Sequence, residues 1–295
     1  MTESIAAVQV AAPREGLLRR IWRAPFFRNK LAVASGVLLF FVFVMIVAAP
    51  LFANHDPIAQ DFGQSLAPPS ATNWLGADKE GRDIWSRIVF GAQPTLIGAI
   101  FVVLISEAIG IPLGLVAGYY GGKVDAVISR ALDMLLAFPA LLLAILIVAT
   151  FGRGLAMAIV ALGIVYIPAI ARLVRSVTLV QRQQTYVEAA RAMGYGEARI
   201  LFRHILPNLT SPILVHSTVD LAYAILDIAA LSFLGLGIQP PDPDWGSMLA
   251  EGRTHLLLSP YEAVFSGFAI MIVVIAFNLL GDGLRAQFDP RQREL

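Results

Sequence analysis

The chain contains no cysteine. Disulfides, thiolate metal sites and cysteine nucleophiles are thereby excluded, and the redox compartment stays open. Histidine is scarce too: His55, His204, His216 and His255 stand without partners at ligand spacing, which argues against a metal site in this chain. Charge is the third shortage. Only 15% of residues are charged, against about a quarter in soluble proteins, while 57% are hydrophobic and mean hydropathy is +0.72. That balance excludes an ordinary soluble domain and identifies an integral membrane protein. Also missing are a Gly-rich phosphate loop followed by Lys and Ser/Thr, a helical histidine pair around a glutamate, and a Gly-x-Ser-x-Gly elbow. No enzymatic constellation emerges, so any uphill work must draw on an ion gradient or on another polypeptide.

What the chain does have is long apolar runs. A spanning helix needs roughly 20 mostly apolar residues, and six stretches qualify: Leu31–Phe52, Leu96–Ala117, Leu132–Phe151, Leu155–Leu173, Ile213–Leu234 and Ala263–Leu280. The fold class expected is therefore an all-α integral membrane protein, a six-helix transmembrane bundle. The first run exceeds the apolar core of a signal peptide and lacks a small-x-small cleavage site, so it reads as a retained anchor. Basic residues set the orientation. All but Lys79, Arg82, Arg87, Arg153 and Arg253 fall in segments that share a side with the N-terminus, which places both termini in the cytoplasm. Ahead of the first span, "REGLLRRIWRAPFFRNK" mixes Leu17, Leu18, Ile21, Trp22, Phe26 and Phe27 with arginines, the composition of a helix lying on anionic lipid; a basic tail that only sets topology is the alternative.

Within the spans, Gly110, Gly114 and Gly118 repeat every four residues and offer a flat strip for another helix. Pro112, Pro139 and Pro168 fall in three successive spans, as pathway bends or plain kinks. Ionisable residues are few. Asp227, deep in the fifth span, Asp220 and the neutral Asn278 are the candidate pathway residues, with pairing inside the bundle as the competing reading. Glu107 and Asp133 read as lying nearer span ends, snorkelled or structural.

Between the fourth and fifth spans stands "YVEAARAMGYGEARILFRHILPNL", too charged for the membrane core. Ala189, Ala190 and Ala192 favour helix, Gly194 and Gly196 weaken or end it, and Pro207 opens the next span. The expected product is a short cytoplasmic helix with one small side and one charged side. Glu188-Ala189-Ala190, then Gly194, then Ile205-Leu206-Pro207 resembles the EAA loop of permease subunits of ATP-binding-cassette importers. The resemblance extends through "LGADKEGRDIWSRIVFGA", "GYYGGKVDAVISRALDMLLAFPALLLAI", "ILDIAALSFLGLGIQPPDPDWGSMLAEG" and "AFNLLGDGLRAQFDPR", which look like the C-type subunit of dipeptide and oligopeptide permeases. Two departures stand out: Gln93-Pro94-Thr95 where the family commonly has a basic residue and a serine, with Pro94 read as starting a helix, and "GAD" for the more usual "GTD".

The resemblance implies a type I ABC importer permease in a bacterial inner membrane. It would work with a second, B-type permease subunit, two cytoplasmic ATP-binding subunits that use ATP and Mg, and a periplasmic or lipid-anchored substrate-binding protein; it binds no cofactor itself and no nucleic acid is involved. ATPase coupling would fall to Glu188, Ala189, Ala190, Gly194, Arg199, Ile205, Leu206 and Pro207. Pro240, Pro241 and Trp245 in "QPPDPDWG" are candidate docking residues for the binding protein, or a stiff linker. The expected division is residues 1–30 with the interfacial helix, 31–52 the first span, 53–93 a periplasmic loop, 94–284 the permease core including the EAA loop at about 174–211, and 285–295 a cytoplasmic tail. Di- or oligopeptides are the expected cargo, although related permeases carry nickel chelates, glutathione or other small solutes. A stand-alone secondary transporter is the rival class, and it would require its own membrane-embedded coupling.

Overall fold

The computed structural model describes residues 29–288; the interfacial helix expected before residue 29 and most of the tail lie outside the described residues. Asn29 opens the first helix, α1 (Lys30–Val47), by accepting the amide hydrogens of Leu31 and Ala32. A short turn, Ala49–Phe52, follows, and the chain then winds through an ordered loop to α2 (Ile84–Tyr120). Next come α3 (Gly122–Leu136), α4 (Ala140–Phe151) and α5 (Leu155–Gln181). The EAA stretch forms α6 (Thr185–Ala192), and α7 (Leu206–Phe233), α8 (Trp245–Thr254) and α9 (Tyr261–Phe288) complete the bundle. Among the described residues five helices are long and apolar enough to cross a membrane, or six if the bent pair α3–α4 makes one crossing.

Helix α5 is the centre. Half of its most apolar window is buried, against 17% for α1, which packs mainly on α9 at the rim. The glycine strip of α2 explains the α2–α5 contact. A Cβ at Gly110 would come 2.4 Å from Ile170 Cγ2, one at Gly114 2.4 Å from the Ala171 carbonyl oxygen, and one at Gly118 2.7 Å from the Arg175 carbonyl oxygen. Only glycine lets the two backbones approach so closely, and in lipid this van der Waals fit does the work that water exclusion does elsewhere. Above it, Leu96, Val102, Leu162, Ile225 and Ile228 form the main core.

The third span departs from the expected single helix. Between α3 and α4 the chain turns by 81°. Pro139 disfavours a helical conformation at Phe138 and cannot donate a helical hydrogen bond, so α4 restarts after it. Its twelve residues reach about 18 Å, short of the ~30 Å hydrocarbon core. Helix α3 instead lies against α5 through its polar stripe: Arg175 pairs with Asp125, and Arg172 Nη2 stands 2.5 Å from Asp133 Oδ1. By contrast Pro112 and Pro168 sit inside unbroken helices.

The expected boundary at residue 93 also shifts. Helix α2 begins at Ile84, capped by Asp83, whose Oδ2 accepts both the amide and the hydroxyl of Ser86. Pro94 therefore lies well inside the helix and does not start it. Nor is the stretch before α2 an open acidic surface. Asp78, Arg82, Arg87 and Glu262 are all at most 3% exposed. Arg82 Nε donates to Asp78 Oδ2 at 2.6 Å and its Nη2 to Glu251 Oε2 at 2.9 Å. This buried ionic knot ties the loop, α2, α8 and α9 together at one end of the bundle. Asp78, Glu251 and Glu262 converge there with ligand atoms within 4.8 Å of one another, and Arg82 and Arg87 supply the opposing charge.

Candidate functional site

The EAA helix sits at the opposite end. Its alanines favour the helix, and its stop is a Schellman closure: the Tyr195 amide donates to the Ala190 carbonyl and the Gly194 amide to that of Arg191. Gly194 adopts φ +78°, the left-handed region that glycine enters without penalty. Val187 and Ala190 are buried, in a cluster with Leu115, Tyr119, Ile170, Val174, Ile200, Ile205 and Leu209. Glu188, Ala189, Gly194 and Arg199 are exposed on the other side, together with Met193. After it come Glu197–Arg199 and a wider π-helical turn, Ile200–Ile205. Ile205 is buried, Leu206 half-buried, and Pro207 stands exposed in the first turn of α7, where its missing amide hydrogen costs nothing.

This helix is fastened to the bundle by more than apolar contact. Arg182 Nη1 donates to the carbonyls of Gly118 and Tyr119 at 3.1 and 3.2 Å, closing the end of α2. The Arg191 guanidinium lies 5.3 Å from the Tyr119 ring centroid, and that of Arg199 5.2 Å from Tyr195, whose ring stacks on His204. Helix α6 thus packs against the ends of both α2 and α5.

The membrane-embedded polar residues fall along α7. Tyr166 of α5 donates its hydroxyl to Asp227 Oδ2 at 2.7 Å, a partner that the sequence did not announce. His216 Nε2 stands 3.4 Å from Asp220 Oδ2, and Ser217 donates to Glu107. Glu107 lies well inside α2, not near a span end, as its place at the middle of the run Leu96–Ala117 already implied. Asn278 is not gathered with these groups. It is exposed and donates to the Val274 carbonyl of its own helix at 3.0 Å.

The segment "QPPDPDWG" divides in two. Pro240 and Pro241, joined by a cis peptide bond, are exposed. Trp245 is 1% exposed, and its Nε1 donates to the Ile88 carbonyl at 2.9 Å. Its indole anchors α8 to α2 and offers no surface to a partner, which corrects its placing among the docking residues. Asp244 beside it is fully buried, caps α8 through the Ser247 amide and accepts the Thr95 hydroxyl at 2.9 Å. Burial pushes the Asp244 carboxyl above the usual carboxylate range. Next to the prolines is a recess of about 740 Å3 lined by His55, Asp56, Phe90, Gln93, Ile238 and Asp242.

The chain as a whole has counterparts among known proteins. The family model described as "Binding-protein-dependent transport system inner membrane component" matches residues 110–294. The chain belongs to this permease family. A second model, the N-terminal TM domain of oligopeptide transport permease C, matches residues 16–69. Among relatives, the glutathione transport system permease protein GsiD of Pectobacterium atrosepticum is 47% identical over 274 residues, covering 92% of this chain and 91% of the relative. The dipeptide transport system permease protein DppC of Alkalihalophilus pseudofirmus is 43% identical over 275 residues, covering 92% and 90%. A chain of the MetNI methionine ABC transporter, from a structure of its inward-facing conformations, superposes with a TM-score of 0.56 at 21% identity, covering 69% of this chain and 97% of that one. The permease is thus a multi-pass, all-α membrane protein with the type I ABC importer permease fold.

Proposed function

We propose that this permease forms one half of the translocation pathway of an ATP-driven importer for di- and oligopeptides. The observation that carries the reading is α6: a capped helix with an exposed face of Glu188, Ala189 and Met193 and a buried face rooted in α2 and α5. Glu188, Ala189, Ala190, Gly194, Arg199, Ile205, Leu206 and Pro207 form the coupling element, which seats on one of two ATP-binding subunits. Those subunits hold ATP and Mg; this chain has no phosphate loop of its own. The α6 end and both termini face the cytoplasm, in keeping with the clustering of basic residues there. A second, B-type permease completes the path, lined by Asp227 and Asp220; Asn278, apart from them on α9, would join it separately. The opposite end, with Pro240 and Pro241, receives a periplasmic or lipid-anchored binding protein.

The GsiD relatives support a second cargo, glutathione, on the same machinery. The test of the importer reading is recovery of the tagged chain from native membranes in mild detergent, followed by reconstitution of what accompanies it. The expected result is a second permease and two nucleotide-binding subunits, with ATP-dependent uptake once the binding protein is added. A chain that comes out alone and transports without ATP contradicts the reading.

A further inference from the structure

The polar groups of α7 are not scattered. His216, Asp220, Tyr223 and Asp227 follow one another at spacings of four, three and four residues, which puts them on one face of the helix. Glu107 meets α7 beside this face, accepting from Ser217, and Tyr166 reaches the face itself through Asp227. At the α6 end the face begins in a recess of about 420 Å3 lined by Ser211, His216, Val219 and Arg285. Tyr223, midway along it, is 59% exposed.

The charge on this face is one-sided. Glu107, Asp220 and Asp227 bring three carboxyl groups, whereas α7 carries neither Lys nor Arg from Leu206 to Phe233. The nearest arginines of α5 are already engaged, Arg172 with Asp133 and Arg175 with Asp125, and Arg285 stays at the recess mouth. The basic groups facing the stripe are thus His216 and Arg285, both at its α6 end. Asp220 is 6% exposed, yet its Oδ2 has no hydrogen-bond partner, and neither has His216 Nε2 facing it. The two atoms stand 3.4 Å apart without a hydrogen bond between them, which leaves the buried Asp220 oxygen an open acceptor position for a donor from outside the chain.

From this geometry, and resting on the importer reading, we infer that the Glu107–Asp220–Asp227 stripe selects cargo by charge: it engages the ammonium of a peptide and favours cationic and zwitterionic peptides over net-anionic ones such as glutathione. Tyr166 is a positioning residue that orients the Asp227 carboxylate. On these chemical grounds the cargo falls on the side of dipeptides rather than glutathione.

The test uses the complete importer in liposomes with its binding protein preloaded at equal, saturating concentration, so that affinity for the binding protein drops out. Three tripeptides of matched size are compared: Ala-Lys-Ala, Ala-Gln-Ala and Ala-Glu-Ala. Wild type is expected to take up the cationic peptide faster than the anionic one. Asp227→Asn and Asp220→Asn are expected to shrink that ratio by on the order of tenfold, the scale of a charge pair a few ångström apart in a wet protein site. Asp227→Glu should restore it. Equal wild-type rates for the cationic and anionic peptides, or a ratio that neither Asn variant moves while uptake persists, overturns the charge selection and leaves the importer standing. Absence of ATP-driven uptake of any of the three by wild type overturns the importer reading and this inference with it.

Discussion

Gly194 illustrates how much one backbone angle decides. At φ +78° an L-residue costs about 1–2 kcal/mol, and a Cβ there would meet nothing within 4 Å because the position faces outward. Gly194→Arg should therefore insert into the membrane at normal levels, by quantitative blotting, while ATP-dependent uptake falls below about a tenth of wild type as the long cation obstructs the seated helix; normal uptake would contradict a coupling role. Asp244 makes a second prediction at this scale. Its raised carboxyl pKa means that its contribution to stability is full below the ordinary carboxylate range and is lost as pH rises through the raised value. The melting temperature of the solubilised chain should fall across that window, and Asp244→Asn, which keeps the cap, should flatten the fall. An unchanged slope would remove Asp244 from the account. Neither the burial of Asp244 nor that of Trp245 could be read from "PPDPDWG", since Pro and Asp in series also describe an exposed linker. The Gly194 stop was legible because an alanine run closed by glycine has few other outcomes.

The helices themselves were legible where hydropathy is strong and glycine spacing regular. The Gly110–Gly114–Gly118 strip called for a close helical neighbour, and α5 is that neighbour. Its test is Gly114→Ala: the added Cβ would lie 2.4 Å from the Ala171 carbonyl oxygen, a clash that costs about 1–3 kcal/mol or more. The same change at Gly36, whose nearest neighbour is Leu280 Cδ1 at 3.8 Å, should be nearly silent. Comparison of thermal midpoints in detergent separates the two, and equal midpoints would deny the strip its role. Harder to read were the break at Pro139 and the ten-residue α8. Proline leaves a helix continuous in α2 and α5 but ends it before α4, and only the packing of α3's acidic stripe on Arg172 and Arg175 shows why the bend is held. Helix α8 is too short and too polar to register as a span, and what fixes it is a buried ionic knot assembled from residues far apart in sequence.

Across the whole molecule, one end is closed by a buried ionic network and the other presents a short exposed helix. The Asp78–Arg82–Glu251 knot clamps the end away from α6, and loss of one partner from such a buried network is worth about 3–5 kcal/mol. At the other end α6 presents an exposed face while its roots run into α2 and α5. If α6 is the coupling element proposed above, motion delivered to it would reach the acidic stripe of α7 through these packed helices. The absence of cysteine makes the central contact directly measurable. Met193 is 63% exposed beside Gly194, so Met193→Cys gives a single reactive thiol on the proposed docking face. With a short maleimide–aryl azide reagent, whose maleimide alkylates that thiol and whose photogenerated nitrene inserts into whatever protein lies beside it, the account predicts, in membranes holding the assembled transporter, a cross-link to a nucleotide-binding subunit whose yield changes when ATP is supplied. Uptake that persists in the absence of any such cross-link, and of any requirement for ATP, would contradict it.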